Sequence, residues 1–179
     1  MKKISWLLTL FIVVITVISV INNRVSTANF LEGELATLEG YFAEKDSVNT
    51  SISQADVAWH LDHILKTINT VSKDLIRSNP ERYEPQFNVQ RSLVHTLGIF
   101  PRGVAQAPQR VTPPNVVRLD SLRQELAMAR ENLNTISTLQ EKAYFAHPVF
   151  DHMDRDQARR FLQIHTRHHL SIIQDILGE

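Results

Sequence analysis

The chain of 179 residues contains no cysteine. Disulfides, thiolate metal ligands and a cysteine nucleophile are therefore excluded, although the absence leaves the compartment open. Neither sign of charge is in excess: 19 Lys and Arg balance 19 Asp and Glu. That balance gives no electrostatic basis for binding nucleic acid, so this partner class is set aside. Glycine is scarce at five residues, and alternating β-branched runs are few. Combined with many helix formers, this scarcity predicts an all-α fold. Of the seven prolines, five fall between Pro85 and Pro114, so the breaks in helical structure are concentrated in one stretch.

What is present begins with Met1-Lys2-Lys3 and an apolar run from Ile4 to Ile21. At helical rise such a run reaches roughly 27 Å, close to the ~30 Å of a bilayer's hydrocarbon core. It is longer than the apolar centre of most signal peptides, and Asn22-Asn23-Arg24 follows it directly. The reading favours an uncleaved anchor over residues 1–24, with Ser26-Thr27-Ala28 as the alternative, a cleavage site. Lys2 and Lys3 outweigh Arg24, which predicts that residues 25–179 lie outside the cytoplasm, on the periplasmic side of a bacterial inner membrane. The membrane is thus an expected partner.

The remaining chain suits one domain with a sizeable core. Helices are expected from Asn29 to Lys45, from about Gln54 to Ile76, from Leu119 to Leu139, and from Asp154 nearly to the C-terminus. The second has the clearest seam, with Val57, Leu61, Ile64, Ile68, Val71 and Leu75 three and four apart. Residues 81–115 read as a crossover connection with one short helix around Val89 to Leu97. Tyr144-Phe145-Ala146-His147-Pro148-Val149-Phe150 reads as an aromatic loop. Four amphipathic helices with a long connection between the second and third predict a four-helix bundle.

Chemistry concentrates in His165-Thr166-Arg167-His168-His169, inside the apolar pattern of the last helix. Successive residues are offset by about 100° on a helix, so His165 and His169 point the same way, toward the core. Buried imidazoles need partners for their nitrogens, and a divalent metal is a good one. In the second helix, His60 lies about 70° from the centre of the seam and can turn inward. His63 lies about 130° away, which predicts a position facing water or a neighbouring element. An all-histidine site suits zinc, nickel or iron better than calcium or magnesium, and three protein ligands leave a coordination position open. Trp59, Tyr144, Phe145 and Phe150 are read as core filling, and Arg102 as a loop salt bridge or an anion contact.

Ala58-Trp59-His60-Leu61, His147-Pro148-Val149-Phe150 and the run from Arg160 to Leu170 together resemble the DinB-like (YfiT-type) superfamily. They are most similar to its uncharacterised branch, domain-of-unknown-function family 1569. The resemblance covers essentially all of residues 25–179. It implies a four-helix bundle with a divalent transition metal on His60, His165 and His169, the set that the helix projection also favours. Related members include thiol-using transferases and hydrolase-like proteins. Asp151 departs from the glycine common in the branch, and either serves the turn or brings a carboxylate toward the site.

Two functions follow as expectations. One is a membrane-anchored metal-dependent hydrolase or transferase acting on a small-molecule substrate, with His63, His147, Asp151 and His168 as candidate acid–base groups. The other is a non-catalytic binding or structural bundle. Either is compatible with a homodimer.

Overall fold

The computed structural model describes residues 6, 9–10, 13–14, 16–17, 29–103 and 106–179. Its helices are α1 (Glu32–Gly40), α2 (Val57–Arg77), α3 (Val89–Leu97), α4 (Leu119–Thr138) and α5 (Arg155–Leu177). Strands β1 (Tyr144–His147) and β2 (Asp151–Asp154) form a hairpin between α4 and α5, and short 3-10 turns occupy Pro80–Arg82 and Gln109–Val111.

The all-α four-helix bundle is corrected by this arrangement. The four helices with the expected seams and the short helix expected around Val89 to Leu97 are present, but among the described residues a two-stranded antiparallel sheet also completes the domain, so it is not all-α. The hairpin lies where an aromatic loop was expected. Phe145 pairs with Met153, and both side chains are buried, so the hairpin closes one end of the core. Strands of four residues are too short for their alternation to stand out from an irregular aromatic segment. Asp151 stands at φ 58°, a left-handed conformation that aspartate tolerates better than most residues.

The membrane anchor is corrected as well. Most of the run from Ile4 to Ile21 lies outside the described residues, and no helix formed by described residues is long and apolar enough to cross a membrane. The membrane partner and the periplasmic placement both rested on that helix, and they go with it.

α2 is the central element. Asp56 caps it by accepting the backbone N–H of Trp59 at 2.7 Å. Its seam residues Leu61, Ile64 and Ile68 are fully buried, and it packs chiefly against α4 and α5. Leu122, Leu126, Ala129, Leu133 and Ile136 form the facing stripe of α4, while Leu162 and Ile173 are large, fully buried side chains of α5. Leu31, Leu35 and Leu38 bring α1 against the same core.

α5 begins with a capping box: Asp154 accepts from Gln157 N at 2.9 Å, and Gln157 Oε1 accepts from Asp154 N. This fixes the start of the helix that carries His165 and His169. Asp154→Ala is expected to cost about 1 kcal/mol in urea unfolding, the usual worth of such a cap.

α3 is attached by two buried arginines. Arg91 donates to the carbonyls of Phe150 and His152 in the hairpin and of Gln86 before the helix. Arg160 of α5 donates to the carbonyl of His95 through Nε and Nη2. Gly98 ends α3 at φ 72°, where a Cβ would also meet Arg160 Nη2 at 3.0 Å. These contacts hold α3 against the hairpin and α5, and Phe100 just beyond it lies against His165 and His168.

Candidate metal centre

His60 and His63 both emerge from the first turns of α2, and His165, His168 and His169 from the middle of α5. One nitrogen from each of His63, His165 and His169 lies within 4.8 Å of the others, close enough to hold a metal ion. His63 and His169 are buried; His165 is partly exposed as a residue, but its Nδ1 is buried and has no hydrogen-bond partner among the described residues.

His63 is placed by the crossover connection. Its Nδ1 lies 2.8 Å from the carbonyl oxygen of Val111, in the second 3-10 turn. A carbonyl only accepts, so Nδ1 carries the proton of the neutral ring and Nε2 keeps its lone pair. That lone pair points toward Nε2 of His165, 3.2 Å away. The indole of Trp59 stacks on the other side of the His63 ring at 4.8 Å. Of the two surroundings expected for His63, water or a neighbouring element, the structure shows the second, and the residue is only 4 % exposed. An isolated helix projection cannot register the cover supplied by a segment nearly 50 residues downstream.

His60, which the sequence placed in the ligand set with His165 and His169, lies beside His169 and outside the close triple. Its Nδ1 is 3.0 Å from Nδ1 of His169, and its Nε2 is 3.1 Å from Oγ of Ser53. Four imidazoles therefore form two close pairs, His60 with His169 and His63 with His165. His168 stands next to His169 and beneath the edge of Phe100.

The surroundings keep these rings neutral. Burial lowers His60 to about 4, with smaller contributions from His63, His168 and Arg102. Burial also pushes His165 and His169 well below the ordinary histidine range, and their neighbouring histidines add to the effect. His63 and His168 are lowered as well, again mainly by burial. Neutral imidazole is the form that ligates a metal.

The other candidates are committed elsewhere. Nδ1 of His147 accepts the backbone N–H groups of Val149 and Phe150, both at 3.1 Å, so the ring shapes the hairpin turn and its proton sits on Nε2. The carboxylate of Asp151 accepts from Asn88, the N-cap of α3, at 2.8 Å. Arg102 bonds Asp175 and Ser171 across α5, so it is the loop salt bridge rather than a free anion contact. Phe145 and Phe150 are core residues, whereas Trp59 flanks the cluster directly.

Residues 33–175 match the family described as protein of unknown function (DUF1569), and the chain belongs to that family. No curated protein and no solved structure matches it.

Proposed function

We propose that this protein is a metal-dependent member of the DinB-like superfamily, holding a divalent transition ion on His165 and His169 of α5 and one histidine of α2. The observation that carries the proposal is the Val111 carbonyl on Nδ1 of His63. Metal-bound histidines almost always donate their second ring nitrogen to a carbonyl or carboxylate, which fixes the ring and aims the free lone pair. Further support comes from the 3.2 Å between Nε2 of His63 and Nε2 of His165. Two nitrogens bound tetrahedrally at 2.0–2.1 Å to one zinc ion lie about 3.3 Å apart.

Two α2 residues compete for the third ligand position. The resemblance selects His60, whereas the geometry favours His63, whose lone pair is free and oriented. Zinc, nickel and iron all suit an all-imidazole set. Three ligands leave a position for a substrate atom or water, and an ion there supplies Lewis acidity. Trp59 and Phe100 flank the site with apolar surface that limits water, and His168 is the one nearby candidate not already committed to the hairpin or α3. The proposed reaction class is hydrolysis or group transfer.

A specific observation also supports a non-catalytic reading. Both His147 and Asp151 are occupied by local structure, which leaves few groups for proton transfer. In that case the metal braces α2 against α5.

Metal content of protein purified without a histidine tag tests the proposal. About one zinc, nickel or iron per chain is expected, with a strong loss in His63→Ala. A folded, metal-free protein that also refuses all three added ions would end the metal reading. Removal of metal that lowers stability without changing any turnover in a hydrolase and transferase screen would favour the bracing role.

A further inference from the structure

His63 has a carbonyl to fix its ring, whereas His169 has none among the described residues. What His169 has is another imidazole, with the two Nδ1 atoms 3.0 Å apart. An N–H···N bond between neutral rings uses one proton, so one nitrogen donates and the other accepts. The direction propagates outward. If His169 donates, Nδ1 of His60 is bare and its Nε2 carries the proton, which then goes to Oγ of Ser53 at 3.1 Å. That oxygen has two lone pairs, and the other receives the backbone N–H of Ala55 at 3.0 Å. In this direction both nitrogens of His60 and Nδ1 of His169 have partners.

The reverse direction puts the His169 proton on Nε2. That leaves no lone pair on the nitrogen remote from His60. A neutral imidazole has one lone pair to give, so an ion on Nε2 of His169 selects the first direction.

We infer that His60 is a positioning residue of the metal centre: its Nδ1 accepts the Nδ1 proton of His169, holding His169 as an Nε2 ligand, while Ser53 fixes His60 in turn. The inference rests on the metal-centre proposal in the form that uses His63 as the third ligand. It gives the two α2 histidines separate jobs, one on the ion and one behind it. It also gives Ser53, at the entry to α2, a role as the outer end of the chain.

The test combines zinc titration with cobalt spectra and histidine ring-nitrogen NMR on the full chain. His60→Met fills the space but cannot accept the proton, and is expected to weaken zinc binding ~10- to 100-fold while leaving the tetrahedral cobalt spectrum in place. His60→Gln offers an acceptor oxygen and is expected to recover most of the affinity. His63→Ala is expected to lose more and to change the cobalt spectrum, because a ligand is gone. Ring-nitrogen NMR of the zinc-loaded protein is expected to place the His60 proton on Nε2. A changed cobalt spectrum in both His60 variants, with His63→Ala near wild type, would make His60 the ligand and overturn the inference. So would His60→Met that binds zinc as wild type does. A wild-type chain that takes up no metal overturns the underlying proposal and this inference together, an outcome distinct from either of the others.

Discussion

Replacing His165 and His169 together by alanine is expected to reduce metal content from about one ion per chain to background. Loss of a residue that merely orients a ligand costs ~10- to 100-fold in affinity. Loss of two of three ligands should exceed roughly a thousand-fold, enough to empty the site at micromolar metal. The effect on folding should have the same origin. A ligand that binds only the folded chain stabilises it by about 4 kcal/mol when present at a thousand times its dissociation constant. Zinc should therefore raise the melting temperature of the wild type clearly and that of the double variant not at all. The metal-free proteins should differ much less. Alanine removes the unpartnered Nδ1 of His165, which favours the variant, but leaves the space of two rings empty, which does not. A variant still raised by zinc to the same extent would place the ion somewhere other than this cluster.

That pair of residues was also the most legible part of the site. The i, i+4 spacing on an apolar face is a local signal, and it survives in the structure because α5 is a continuous helix whose start is fixed by Asp154 and Gln157. The seam of α2 and the stripe of α4 were legible for the same reason: each is set by residues within a few turns of one another. His63 was not. Its burial comes from Val111, and its orientation from the carbonyl there, so both depend on how a proline-rich connection returns across α2. Nothing within the helix carries that information. The hairpin escaped for a different reason, since its inward residues Phe145 and Met153 sit in two short strands whose pairing follows from the turn that His147 and Asp151 make. The apolar run from Ile4 to Ile21 carries a strong local pattern, yet no described helix is long and apolar enough to cross a membrane. Periodicity therefore read the helices well; it missed the burial of His63, set by a segment remote in the chain, and a hairpin whose strands are too short to show their alternation.

Acidification should unfold the metal-free protein well above the pH at which carboxylates alone would do so. Three histidines are held at about 4 by burial: His60 behind the site, His95 beneath Arg160 and Arg91, and His147 in the hairpin turn. In the unfolded chain each returns to about 6.5. Between those values the unfolded state binds more protons than the folded state, so stability rises with pH through this window and is lost as pH falls from about 6.5 toward 4. Above about 6.5 both states are neutral at these positions and the dependence disappears. Each such group withdraws roughly 3 kcal/mol when the pH passes below its folded value, with less from the half-buried His147. Their total is comparable with the 5–15 kcal/mol that holds a typical domain together. His95 is the cleanest reporter, because it lies away from the metal ligands, is 5 % exposed, and has a buried Nε2 with no partner among the described residues. Urea unfolding of chelator-treated protein at pH 7 and pH 5 should show a fall of several kcal/mol, and His95→Gln should make that fall smaller. The same stability at both values would mean that these rings are reached by water and protonate in place.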